Sequence, residues 1–491
     1  MISLLAFRNI VHRPWRSALL FFGYGVGVGV MIVLLSVGEA LLTQAKDEKL
    51  VGGGSITVLP QGLDVEVMKT GGVGGLFFSI GQARFIYQQL LGSPRMSASV
   101  SAAAPQIGNR LLYIRKAGSG AEYSVRGSGE IPSLTRLVRG PVSIGAGEWK
   151  DDEGDRRWVR PSLAELRDDI DHFHLPPDTV SNRDSWAEWH YFNVLSDDSR
   201  RWAFISLIVA GDVTGTKWGG SVSITLREQE GASRKFERII QPESVRFSTT
   251  SASLSIGSSS VTVLPGGDYR VVASATSKQG GDPISVDLIV QPDPRAYFPG
   301  ASLGSGDFVS GYTVPGLRAS AKGRICVGER CETYDGAQSY HDHNWGVWRG
   351  VTWDWGASRA GEYTILYGRV IAPDRAQKEN PLFVYVVDSQ GFRSVMRPSR
   401  IDYVDGRRTL VDGKSIAVPS AVSFADVRGA DTLRVELSIE DAIATDTRQQ
   451  SRDVSTDKPY FIQMKGTARV SGRLGGSPVT GEGRGFFETY R

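Results

Sequence analysis

Leu19 to Val37 is a run of 19 residues without a charge. At about 1.5 Å per residue it nearly spans a hydrocarbon core of about 30 Å, and the pattern predicts one transmembrane helix over residues 18–43. Arg8, Arg13 and Arg16 precede the run, while Glu39, Lys46, Asp47 and Glu48 follow it. That asymmetry puts residues 1–17 in the cytoplasm and the bulk of the chain in the periplasm, as a single-pass protein of the inner membrane. A cleaved signal peptide is the competing reading, but its apolar run is usually about 7–15 residues. From residue 44 to 160 glycine-rich loops alternate with short apolar runs such as Phe85–Leu91 and Arg110–Ile114, the pattern of a small mixed α/β segment. The charge cluster Glu148–Arg157 reads as a solvated linker. Ser162, with Glu165 three residues on, predicts the start of a short helix over 161–170.

Beyond Trp186 the period changes to that of strands. Trp202–Ala210, Val222–Leu226, Val245–Thr249, Ala252–Ile256, Val261–Leu264 and Tyr269–Ala273 are short, β-branched or alternating, and divided by glycine, proline or serine. A second set runs through Tyr363–Ile371, Leu382–Asp388, Leu433–Ile439 and Tyr460–Val470. The fold expected is mainly β, with one β-domain over 161–350 and another over 351–491, each a barrel or sandwich.

Chemistry concentrates where these two domains meet. Tyr340 to Trp355 reads Tyr-His-Asp-His-Asn-Trp-Gly-Val-Trp-Arg-Gly-Val-Thr-Trp-Asp-Trp, and eight of the eleven tryptophans lie between Trp186 and Trp355. An extended backbone turns Tyr340, Asp342 and Asn344 to one side and His341, His343 and Trp345 to the other. A carboxyl group kept neutral by an aromatic lining is a general acid, and Asp342 is the first choice, with Tyr340 to position it and Glu188 as a second acid. Trp189, Tyr191, His341, His343, Trp345, Trp353 and Trp355 are the expected ligand-binding residues. The bland alternative stands beside this one: Asp342 and Asn344 satisfy buried polar groups and the tryptophans form core.

Tyr340 to Gly346, with Trp186-Ala-Glu-Trp-His-Tyr-Phe192 upstream, resembles the carotenoid 1,2-hydratase (hydroxyneurosporene synthase) and AttH-like family. The resemblance covers roughly residues 161–491 and implies two lipocalin-like β-barrels in tandem. Hydratases of that family protonate an isolated C=C bond with a buried acid and add water to the cation. Their Tyr-x-Asp pair falls on Tyr340 and Asp342. Their His-x-Trp pair has no counterpart, since Gly311-Tyr312-Thr-Val-Pro315 stands in its place, so the AttH-like branch is the nearer one. A second resemblance rests on Ser3–Asn9, Arg13–Ser17 and Gly54–Pro60, which look like the first helix and early periplasmic segment of MacB/FtsX-type ABC permeases. It implies a truncated permease segment over 44–160 and, as partners, ABC transporter subunits. The further helices of such permeases and a phosphate-binding loop are missing from the sequence.

A net charge of +3 with no basic run excludes nucleic acid as a partner. The expected partners are an apolar small molecule or lipid and the membrane, with no cofactor. Cys326 and Cys331 suit a hairpin, joined as a disulfide in an oxidising compartment or left as neighbouring thiols. No metal is expected: each His-x-His pair turns both rings one way, but no cysteine or second carboxylate cluster completes a ligand set. Three classes remain open: a membrane-anchored carrier of an apolar ligand, a hydratase-type enzyme acting on an isoprenoid or lipid C=C bond, and an accessory subunit of a lipid-exporting ABC system.

Overall fold

The computed structural model describes residues 12, 14–46, 80–139, 150–228, 233–277, 280–305, 308–372, 382–411, 413–447 and 458–491. Residues 3–9 and 54–60, which carry most of the permease resemblance, lie outside them. The chain divides into two compact units, residues 1–80 with 102–155 and residues 81–101 with 156–491. In the first, α1 (Pro14–Lys46) is apolar over Pro14–Val37, and Phe21, Phe22 and Leu34 are exposed. This helix is long and apolar enough to cross a membrane. The same unit holds a two-stranded hairpin, Gln106–Arg115 with Glu122–Glu130.

The charge cluster expected to be linker instead forms a helix, Glu153–Val159, none of whose side chains is buried. Asp152 accepts a hydrogen bond from the Asp155 amide at 2.8 Å, and acids in the first turn favour the helix N-terminus.

In the second unit α2 (Ile80–Gly92) lies against α3 (Leu163–Ile170), where Arg84 pairs with Asp169 at 2.6 Å. α3 starts as its sequence requires, with Ser162 and Glu165 forming a reciprocal capping box. Its buried Arg167 donates to the Pro315 carbonyl at 2.6 Å and so ties the helix to the barrel that follows.

That barrel has eight antiparallel strands in simple meander order: β1 (Trp186–Leu195), β2 (Trp202–Gly211), β3 (Trp218–Arg227), β4 (Arg234–Ile240), β5 (Tyr269–Ser277), β6 (Ile284–Pro292), β7 (Phe308–Val327) and β8 (Ala337–Val347). β8 pairs with β1 and closes the ring. The ring is thinnest between β4 and β5, which pair at Glu237–Thr276 and Phe236–Ser277, and the up-and-down order is that of lipocalin-type barrels. Short strands at Val245–Phe247, Leu254–Ile256 and Ser259–Val263 are inserted between β4 and β5. Cys326 at the end of β7 faces Cys331 on the short strand Arg330–Thr333, and a disulfide joins them.

The second sheet has nine strands: β9 (Thr352–Ala360), β10 (Tyr363–Ile371), β11 (Phe383–Asp388), β12 (Gly391–Met396), β13 (Asp402–Val411), β14 (Lys414–Arg428), β15 (Asp431–Asp446), β16 (Tyr460–Leu474) and β17 (Ser477–Tyr490). Their spatial order is β12-β11-β10-β9-β17-β16-β15-β14-β13. The sheet curls about its own core of Ile365, Tyr367, Phe424, Ile462 and Phe487. The end strand β12 is tied to β14, the strand next to the other end, by Arg428 donating to the Val395 carbonyl at 3.1 Å and by the Arg397 amide donating to Asp426 at 2.6 Å.

A third apolar cluster joins the two barrels. It takes Tyr191, Leu195, Phe204, Tyr312 and Tyr340 from the first and Trp355, Leu366, Tyr385 and Phe486 from the second. Strand alternation on β1 and β8 therefore has two destinations, the first barrel's interior and the seam between barrels.

Candidate functional site

The register of β8 against β1 sets Asp342 opposite Tyr191 and Trp345 opposite Glu188. Directly opposed residues point to the same side of a sheet, so the sequence-predicted site residues fall into two groups on opposite faces. Tyr340, Asp342, Trp189 and Tyr191 face the seam, where Trp353 and Trp355 from β9 join them. Glu188, His341, His343 and Trp345 face the first barrel's interior. Glu188 is therefore not a second acid for the Asp342 site.

At the seam, Asp342 is 3% exposed. One carboxyl oxygen accepts from the Tyr340 hydroxyl at 2.7 Å and the other from the Asn344 amide at 2.7 Å. Tyr340 in turn accepts from the Trp355 indole N–H at 2.9 Å. Sequence reasoning missed the second acid of this site, Glu488 near the end of β17. It accepts from the Trp353 indole N–H at 2.9 Å and from Gln463 at 3.3 Å. Its signal was an acid set among aromatics, Phe486-Phe487-Glu488-Thr489-Tyr490, but nothing in the sequence ties that strand to Tyr340.

Burial pushes the Asp342 carboxyl up to about 7; the Glu488 charge adds to the rise, and hydrogen bonds from Tyr340 and Asn344 oppose it. Burial likewise pushes Glu488 up to about 7, against the hydrogen bonds of Trp353 and Gln463. Two acids thus titrate near neutrality among aromatic rings, the condition under which a carboxyl group serves as proton donor. Trp189, Trp348 and Trp353 remain half-exposed, their rings 4.7 to 6.3 Å apart, and Trp353 packs on toward Phe461 and Tyr490. They give the site an apolar margin. Asp354, between the two β9 tryptophans, turns the other way and is committed to Arg369, Tyr403 and Thr489.

A cavity of about 530 Å³ is lined by Gln338, Leu195, Arg318, Arg359 and Arg484 among others. Neither Tyr340 nor Asp342 lines it; Gln338, four residues before Asp342 on the same face of β8, stands about 13 Å along the strand from the acid.

Inside the first barrel, His343 lies between two carboxylates. Its Nδ1 is 2.6 Å from Asp171, and its Nε2 is 2.8 Å from Glu188 in an ion-pair contact. Burial disfavours its charge, but Asp171 and Glu188 outweigh that and raise it to about 10. Glu188 also accepts from the backbone N–H and Nδ1 of His174, whose ring stacks on Trp345 at 3.7 Å. Gly311 makes room for that indole: a Cβ there would collide with the Trp345 ring. Asp171, which sequence reasoning also missed, is fully buried. It accepts from Tyr269 at 2.5 Å and contacts His341 Nε2 at 3.1 Å.

No protein-family model matches the chain, and no curated protein matches it. Among solved structures the chain is similar to an AttH protein from Nitrosomonas europaea, at 14% identity and a TM-score of 0.43 over 64% of this chain and 96% of that one. It is similar to kievitone hydratase from Nectria haematococca, at 12% identity and a TM-score of 0.39 over 65% and 94%. CghA with Sch210972 gives 13% identity and a TM-score of 0.40 over 65% and 94%.

Proposed function

We propose that this protein takes an apolar ligand bearing a C=C bond into the seam between its two β-barrels and transfers a proton to it from Asp342. The observation that carries the reading is that the seam buries two acids, Asp342 held by Tyr340 and Asn344 and Glu488 held by Trp353 and Gln463, both raised to about 7. An alkene is a poor base, and it demands a neutral carboxyl group placed against it in dry surroundings. In the step proposed, the alkene π pair forms the new C–H bond and the O–H pair stays on the Asp342 carboxylate. The π faces of Trp353 and Trp355 stabilise the cation. Water then adds its oxygen to the cation and returns a proton to the carboxylate, so hydration leaves the acid as it began. α1 is assigned as a single-pass anchor with the barrels outside the cytoplasm, which brings the seam to a source of membrane-soluble ligands.

Binding without turnover uses the same seam. Organic extraction of the full-length protein, purified in detergent, yields the ligand that accompanies it, and the same extract is the substrate for two variants. Asp342→Asn keeps shape and removes the transferable proton, so binding should persist and turnover cease. Trp353→Ala should weaken binding by about tenfold, as for an aromatic anchor. An Asp342→Asn protein that still turns over a ligand whose binding Trp353→Ala impairs would place the pocket correctly and remove Asp342 as the acid. A protein that binds but converts nothing, in wild type and variant alike, is a carrier.

A further inference from the structure

The interior of the first barrel holds a set of donors that the seam chemistry leaves unused. One atom each from Asp171, His190 and His341 lies within 4.8 Å of the others, and all three residues are buried at 2% exposure or less. They come from three separate elements: the segment after α3, strand β1 and strand β8. His341 Nε2 is 3.1 Å from Asp171, and His190 Nδ1 is 3.7 Å from Asp171. That second separation is too long for a hydrogen bond, and His190 Nδ1 is a buried ring nitrogen with no hydrogen-bond partner. The two separations run to different oxygens of Asp171; a tetrahedral ion bound at about 2.0–2.1 Å holds its ligand atoms about 3.3 Å apart, within the 4.8 Å that spans this set.

The surroundings are also those of a metal site. His341 Nδ1 lies 3.0 Å from the Tyr191 carbonyl, a bond that fixes the ring and leaves Nε2 facing Asp171. Asp171 is held by the Tyr269 hydroxyl at 2.5 Å and by His343 Nδ1 at 2.6 Å, as ligating carboxylates are. We propose that the first barrel binds one zinc ion on Asp171, His190 and His341, with Tyr269 and His343 as the outer partners that orient the carboxylate. Imidazole and carboxylate donors in a small closed site suit zinc and its neighbour cobalt better than the larger, oxygen-seeking calcium. The ion joins the segment that follows α3 to β1 and β8, and His341 adjoins both Tyr340 and Asp342 in the chain. It therefore fixes the strand whose other face carries the seam acid. Sequence spacing pointed away from a metal because Asp171 lies outside the strands, where alternation says nothing about it.

The test is metal retention by the full-length protein in detergent. Protein incubated with zinc and then passed through a desalting column should keep about one ion per chain by elemental analysis and melt higher than protein stripped with a chelator. Cobalt in its place should show the visible bands of a low-coordinate ion. His190→Ala leaves a cavity against the rings of His341 and His343 and should melt below the stripped wild type, but zinc should no longer raise its melting temperature and it should lose the retained ion. Tyr269→Phe, a milder change if His190→Ala does not fold, should weaken retention about 10- to 100-fold. Failure of the wild type to retain zinc or cobalt would overturn the proposal, as would undiminished retention by both variants.

Discussion

Replacing Asp342 by Asn tests the seam through stability, without any ligand. The amide matches the carboxyl in shape: Tyr340 still finds an oxygen, and Asn344 can turn its own amide to meet the new NH₂ group. What changes is the proton. In the unfolded chain the Asp342 carboxyl titrates near its ordinary 3.8, and in the fold burial raises it to about 7. Below the lower value both states are protonated and the group has no effect. Between about 4 and 7 the unfolded chain loses the proton while the native state keeps it, so the wild type loses stability as pH rises. The loss is about 1.4 kcal/mol per pH unit and reaches about 4 kcal/mol by pH 7, above which it levels off.

Urea unfolding of both proteins, followed by tryptophan fluorescence from about pH 3 to 8.5, a range that brackets the shift, gives the difference directly. Any fixed cost of the substitution cancels from its slope. The Asp342→Asn protein should gain on the wild type steadily up to about pH 7. A difference that stays flat with pH, or that favours the wild type as pH rises, would refute the claim that Asp342 holds its proton near neutrality.

Thiol labelling of denatured, unreduced protein should find no free thiol, and Cys326→Ser with Cys331→Ser should cost about 2 kcal/mol or less because the loop closed is short. A reporter fused after Arg491 should be active only outside the cytoplasm; cytoplasmic activity would overturn the orientation assigned to α1. Trp353→Phe keeps a ring in place but removes the indole N–H from Glu488, and should lower stability by about 1–2 kcal/mol as measured by unfolding at about pH 8, with no such loss if that bond is unimportant.

Much of the fold was legible because it follows local periodicity. The capping box at Ser162 and the strands at Trp202–Ala210 and Tyr363–Ile371 needed only sequence spacing, and α1 needed only length and hydropathy. β7 was not legible, since its twenty residues contain Gly311, Pro315, Gly316 and Gly323, which read as turns. The structure absorbs them as irregularities in the β7–β8 register around Gly316. The candidate site divides in the same way. Alternation correctly separated Tyr340, Asp342 and Asn344 from His341, His343 and Trp345, but it could not say that the two faces enter different chambers. That depends on the β8–β1 register, which sends Glu188 with His343 and Tyr191 with Asp342. Asp171 and Glu488 are joined to this strand only by tertiary pairing across more than a hundred residues, a relation no local pattern encodes.

Passage of a proton from Asp342 to carbon is read most directly with an isotope. The ligand extracted from the purified protein, returned to wild-type protein in deuterated water and analysed by mass spectrometry, should acquire one deuterium on carbon together with the elements of water. Asp342→Asn should give the ligand back unlabelled and unhydrated. Equal carbon-bound deuterium from both proteins, or a wild-type ligand that returns unchanged, would contradict the assignment of Asp342 as the acid of the seam.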